Sequence, residues 1–398
     1  MLCWILSRTI VRFNNKYIDK VGYVVDFLKK IKNWLMYIGS IQNLEISFGV
    51  NRRGQKKRKL PKRLLYLYKK KSLHDHELYS MVAFLKSNFE GVEYVCFSHD
   101  ERPRHNPGLS TKKLRMSIDQ YKPDMIFAYD NMLNLEEAAM IKKKGIALAS
   151  NTCGVHSYLC GGMTQKESLE TMRNYTWYLV PHRPHIERLR NEGVNAIEFP
   201  LWYDSNWFRP LGLKNKKWDI FFIGDVKHYL NKNRTKLLEM LGKKFSVIVA
   251  STHDPQIKGI QYIGATANPY QLNRWLNAAR IVIGSDKLAD PAPLNAADDQ
   301  YIFYDDTYFI RQRTYLMLGA GSCYVVERHA EIERQFVDEK EIVLWGSEEE
   351  LVQKIGYYLV HDNDQKRVGL SAHKRALAEH STNVRVKQLL TIMGLKEG

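Results

Sequence analysis

Cysteine is scarce and badly placed for cross-linking. There are five in 398 residues, at positions 3, 96, 153, 160 and 323. No two pairs stand at zinc-site spacing, and an odd, scattered set gives no disulfide framework. They read as reduced thiols of a cytosolic protein. Long apolar runs are also missing. None reaches the roughly 18 to 20 residues that span a bilayer. The opening MLCWIL is too short, and too soon broken by Arg8 and Arg12, for a signal peptide. Acidic residues are scarce at one end only. Residues 1 to 71 hold 18 Lys and Arg against Asp19, Asp26 and Glu45, whereas the whole chain has 60 basic and 43 acidic residues, a net charge of +17. The basic character therefore belongs to one segment and says little about the body of the protein.

That segment has two parts. Val21, Val24, Val25, Leu28, Ile31, Leu35 and Ile38 recur at helical spacing, with Lys20, Lys29, Lys30 and Lys32 mostly elsewhere, as in a basic amphipathic helix. NRRGQKKRK, residues 51 to 59, follows, with Pro61 as a boundary. Such a pair suits an anionic membrane surface, apolar face down, each basic residue contributing about 1 kcal/mol near that surface. An ordinary packed helix with a solvated basic loop, or a nucleic-acid contact, are the alternatives.

The rest is globular in composition, with 44% hydrophobic and 12% aromatic residues, and long enough for two domains. From Lys62 it alternates in α/β fashion. Strands RLLYLYK, VEYVCFS, KPDMIFAYD, IALASNT, YTWYLVP and NAIEFP are separated by helical stretches, one of them NLEEAAMIKKKG with Gly145 as its stop. This predicts an open parallel sheet, whose ligands sit beyond the strands' carboxyl ends. Asp130, Asn151, Thr152 and His156 lie there. Asp130 and His156 are the candidate catalytic bases. The aromatic, then Pro-Leu-Gly, then basic stretch at 202 to 217 reads as an interdomain linker. A second series opens with the strand WDIFFIGD and the helix NRTKLLEMLGKK, and runs through FSVIVAS, IQYIG, NPYQLNRWLNAAR and IVIGS to a polar loop. Asp298, Asp299, Asp305 and Asp306 in that loop match no metal-coordination spacing.

The most informative stretch is YFIRQRTYLMLGAGSCYVVERHAEIE, Tyr308 to Glu333. It predicts a short helix led by Arg311 and Arg313, a glycine turn at Gly319 and Gly321, and a buried strand. A helix N-terminus beside an arginine fork suits a phosphate. A solvated helix face with a plain glycine C-cap is the bland alternative.

This stretch, followed by DEKEIVLWGSEEELVQKIGYYLVHDNDQKR and a closing helical AHKRALAEHSTNVRVKQLL, resembles the C-terminal domain of GT-B glycosyltransferases. The similarity is to the CgeB-like group and glycosyltransferase family 1 relatives, over residues 218 to 395. The resemblance implies an α/β fold of GT-B type, two Rossmann-like domains facing a cleft, here with a basic N-terminal extension. The expected boundaries are 1–60 for the extension, 61–205 for the acceptor domain and 218–395 for the nucleotide-sugar domain. It also implies a metal-independent enzyme without cofactor that uses a UDP- or GDP-linked sugar donor. Gly224, Asp225, Arg311, Arg313, Tyr315, Gly319, Gly321, Glu327 and Glu331 are the expected donor-binding residues. Arg313 matches the family's arginine and would neutralise the leaving diphosphate. Gly224, Gly319 and Gly321 would allow close backbone approach, and Glu327 and Glu331 would accept hydrogen bonds from ribose or sugar hydroxyls. Many retaining members carry two glutamates eight positions apart. On the Arg313 register those positions are Tyr308 and Leu316, so the ribose contact is unassigned. The expected acceptor is a glycan or lipid-linked glycan at the cytoplasmic membrane face, as in polysaccharide biosynthesis. Glycosylation of modified DNA bases, or a non-catalytic nucleic-acid or membrane-binding protein of this fold, are the alternatives.

Overall fold

The computed structural model describes residues 63–69, 91–97, 108–129, 133–151, 165–226, 232–266, 268–286 and 310–393. The expected amphipathic helix, Asp130, His156, Thr152 and the aspartate-rich loop lie outside the described residues. The chain divides after position 57, and all the described residues belong to the second unit, Arg58–Gly398.

The first sheet contains β1 (Arg63–Lys69), β2 (Gly91–Phe97), β3 (Met125–Tyr129), β4 (Ala147–Asn151), β5 (Trp177–Val180) and β6 (Ala196–Glu198). Its described helices are α1 (Gly108–Tyr121), α2 (Leu135–Lys143), α3 (Gln165–Met172) and α4 (Arg183–Asn191). The second sheet contains β7 (Trp218–Ile223), β8 (Val247–Ala250), β9 (Ile260–Tyr262), β10 (Ala279–Ile283), β11 (Cys323–Glu327) and β12 (Val343–Trp345). With it run α5 (Lys232–Gly242), α6 (Pro269–Ala278), α7 (Gln312–Gly319), α8 (Ala330–Gln335), α9 (Glu348–Val360), α10 (Asp362–Glu379) and α11 (Thr382–Ile392).

Among the described residues every strand pairing is parallel. Parallel strands need crossovers that cover both faces, so both faces must be apolar. The sequence meets this by simple alternation. In β1 and β3, Leu65, Leu67, Ile126 and Ala128 enter one core, and Leu64, Tyr66, Met125 and Phe127 the other. In β7 and β10, Phe221 and Val282 face one side, and Ile220, Phe222, Ile281 and Ile283 the other. Helix starts are chemically marked. Asn134 and Glu137 form a reciprocal capping box on α2, and Asn268 caps α6 before Pro269.

The strand orders decide where a ligand can sit. The first sheet runs β2-β1-β3-β4-β5-β6 and the second β12-β11-β10-β7-β8-β9. In the second, the order reverses between β7 and β10. In open α/β sheets the crevice beyond the carboxyl ends at such a reversal is the binding position. The corresponding reversal in the first sheet lies between β1 and β3, and Asp130 follows β3 in sequence.

The expected linker is packed rather than loose. Trp202, Tyr203 and Phe208 are buried, and the Asn273 and Asn277 side-chain amides hold the Arg209 carbonyl. The chain also crosses back. α11 follows the second sheet but lays Val386 and Leu389 on the β1–β3 face of the first. The two crossings are bonded to each other: Tyr203 N–H donates to the His380 carbonyl at 3.0 Å, and Thr382 N–H to the Tyr203 carbonyl at 2.9 Å.

Candidate active site at the β7/β10 switch point

Three segments meet where the second sheet reverses. β7 ends in Gly224-Asp225, β10 ends in Gly284-Ser285-Asp286, and α7 presents its first turn. Arg311 is the α7 N-cap residue and Arg313 lies just inside the helix. Arg313 bridges the two strand ends: Nη1 donates to the Ile223 carbonyl at 3.1 Å and Nη2 to the Ser285 carbonyl at 3.4 Å. Its Nε has no hydrogen-bond partner.

Arg234, in the first turn of α5, reaches the same place. It is 3% exposed, and its Nη1 donates to the Asp225 carbonyl at 2.8 Å. Its Nε and Nη2 have no hydrogen-bond partner. Burial, then the Arg313 and Arg311 charges, push the Arg234 guanidinium down to about 7. Burial, then Arg313, pushes Arg311 down as well. Arginines keep their proton in proteins. Two cations held against such a penalty, with the Arg313 guanidinium beside them, mark a site built for an anion.

Two carboxylates stand with them. Glu327, at the end of β11, accepts the Asp286 N–H on Oε2 at 2.9 Å. Burial, then the Asp286 carboxylate, push Glu327 above the ordinary carboxylate range. Asp286 itself is fully buried.

The geometry corrects several expectations. Gly224 does leave room, but for Arg313: its φ is +154°, and a Cβ there would stand 2.2 Å from Arg313 Nη1. Gly319 and Gly321 allow close approach to the protein's own crossing segment, not to a ligand. A Cβ on Gly319 would lie 2.3 Å from the Tyr203 ring, and one on Gly321 would lie 2.8 Å from Pro210. Tyr315 is a core residue, with its hydroxyl donating to Gln335 Oε1 at 2.9 Å and its ring packed on Phe336 and His380. Glu331 turns away to Arg334, which also binds Glu198 of the first sheet. Asp225 contributes its carbonyl to Arg234. Sequence reasoning missed Arg234, Ser285 and Asp286. The available signal was polar residues directly after a buried strand, and an arginine opening the helix after a strand-end glycine.

Residues 233–391 match a family described as glycosyl transferase-like. Solved structures share the fold over most of the chain. A sucrose-phosphate synthase from Thermosynechococcus elongatus is 10% identical, covering 83% of this chain and 98% of that one at TM-score 0.59. A glycosyltransferase from Rickettsia africae is 12% identical, covering 86% and 100% at 0.57. HepE from Anabaena, in complex with UDP, is 10% identical, covering 83% and 99% at 0.54. No curated protein matches the chain. The fold is GT-B. On that fold, residues 233–391 carry the glycosyl transferase-like match.

Proposed function

We propose that the protein moves a sugar from a nucleoside-diphosphate donor to a hydroxyl of a glycan or lipid-linked glycan at the inner face of the membrane. The observation that carries the donor half is the pairing of buried Arg234 with half-buried Arg313 at the α7 N-terminus and the β7/β10 switch point. Leaving-group charge builds up on a diphosphate in sugar transfer, and fixed guanidinium donors in a dry site stabilise it. The HepE structures in complex with UDP and with UDP-glucose support a nucleotide-linked donor on this fold. Arg311 adds charge to the cluster. The acceptor and the general base belong to the first domain, with Asp130 and His156 as the base candidates.

A thermal-shift series with UDP, GDP, CMP and TDP compounds tests the donor half, since a ligand that binds only the folded state raises its midpoint. No shift with any of them sinks the reading. The membrane half rests on residues 1–60, whose charge and apolar periodicity suit an anionic surface. The full chain should pellet with anionic liposomes, less so in added salt, and a chain starting at Leu60 should stay in solution. Tighter binding to duplex DNA than to liposomes at physiological salt would favour the DNA-base alternative.

A further inference from the structure

Asp286 stands out among the described residues as a carboxylate with 0% exposure and no hydrogen-bond partner on either oxygen. Its backbone N–H is taken by Glu327, and His329 Nε2 stands 3.6 Å from Oδ2, beyond hydrogen-bond reach. A buried carboxylate left without donors is costly to the fold. Its charge acts on both Arg234 and Arg311, so it belongs to the same cluster. The cluster therefore asks for two kinds of atom at once. Arg234 Nε and Nη2 and Arg313 Nε offer N–H groups to an oxygen acceptor, whereas an ionised carboxylate only accepts. An anion alone meets the arginines and repels Asp286. A metal cation meets Asp286 and faces three guanidiniums. A phosphate with hydroxyl groups beside it meets both.

We propose that Asp286 is a specificity-determining residue of the donor site, accepting hydrogen bonds from hydroxyls next to the arginine-bound phosphate. This rests on the nucleotide-sugar reading above. Glu327 is then a positioning residue: its Oε2 holds the Asp286 N–H and fixes the turn after β10. The hydroxyl role expected of Glu327 and Glu331 passes to Asp286. The hydroxyls come from the ribose or from the transferred sugar.

Calorimetry on the full chain, at one salt concentration, with pyrophosphate, 2′-deoxy-UDP, UDP and UDP-glucose separates the cases. Asp286→Ala should bind pyrophosphate as tightly as the wild type or more tightly, because a negative charge has left the site. Against pyrophosphate it should lose at least tenfold in affinity for a hydroxyl-bearing ligand. A loss already present with UDP, together with weaker wild-type binding of 2′-deoxy-UDP, assigns the ribose. A loss confined to UDP-glucose assigns the sugar. Asp286→Asn keeps the shape and one acceptor, and should fall between; it decides the matter if the alanine variant does not fold. Parallel changes for all four ligands would make Asp286 a mere counter-charge and overturn the proposal. So would a wild type that binds pyrophosphate as tightly as UDP and UDP-glucose. A wild type that binds none of the four fails one step earlier, at the donor reading itself.

Discussion

Arg313 and Gly224 compete for one space. A Cβ at position 224 would stand 2.2 Å from Arg313 Nη1, and the glycine backbone sits at φ +154°. The end of β7 and the start of α7 are thus fitted to each other across 89 residues of sequence. Gly224→Ala should strain the backbone and displace the guanidinium together. We expect a loss of about 1–3 kcal/mol in stability, typical of a residue forced into a sparse backbone region, and weaker UDP binding. A urea midpoint and a UDP titration check both. An unchanged midpoint would show that Arg313 moves aside at no cost.

Arg234 and Arg313 should separate into different phenotypes. Arg313 spends two donors on strand carbonyls, so Arg313→Ala should lower stability as well as nucleotide affinity. Arg234 carries two N–H-bearing atoms without hydrogen-bond partners, in a place where burial and two like charges oppose it. Arg234→Ala should lose at least tenfold in UDP affinity, the equivalent of a charge-assisted bond of about 1.5–3 kcal/mol, with its melting temperature held or raised. Calorimetry and thermal unfolding on the two variants suffice. Equal destabilisation by both would place Arg234 in the scaffold instead.

The alternation of buried strands and polar turns made both Rossmann-type sheets legible, because parallel sheets demand short apolar runs set between polar turns. α7 and β11 were legible for the same reason, with Arg311 and Arg313 correctly placed at the helix start. The partners of the glycines were not. A glycine announces that something comes close; it does not say that Tyr203 and Pro210 are what come close to Gly319 and Gly321. Tyr315 sits two residues after Arg313, and only the helix turn shows that it points to Gln335. Arg234 and Asp286 escaped notice because their meaning arises from the β7/β10 reversal. That reversal juxtaposes residues far apart in sequence.

Asp130 and His156 lie outside the described residues, and their roles rest on their places after β3 and β4. An inverting transfer needs a group to take the acceptor hydroxyl's proton as it attacks. With the donor phosphate on the second domain, that group should come from the first. Asp130 directly follows β3 in sequence, and β3 borders the reversal of the first sheet. The histidine has the side-chain pKa better matched to neutral pH. If either is the base, its alanine variant should lose roughly 10²- to 10⁴-fold in turnover with UDP affinity little changed. Near-normal turnover in both, or a product that retains the donor's anomeric configuration, excludes them.

His380 should make stability depend on pH. It lies at the return crossing between the domains, packed on Tyr315 and Phe336, and its Nδ1 accepts Arg385 Nη2 at 2.7 Å. Burial, then Arg385 and Arg375, push its pKa from the ordinary 6.5 down to about 3. Between those values the unfolded chain binds a proton at this residue and the folded one does not. The stability His380 contributes is therefore complete above pH 6.5 and is lost as the pH falls toward 3. The slope is at most about 1.4 kcal/mol per pH unit. Glu327, raised in the folded state, acts in the opposite sense: its protonated form is favoured by folding, so it gains stability as the pH falls. The two are told apart by substitution. His380→Gln removes the titrating ring from the crossing. Urea midpoints from pH 7.5 to 4.5 should fall less steeply in that variant than in the wild type. Parallel profiles would mean that the crossing opens before His380 is protonated, and that acid sensitivity arises elsewhere.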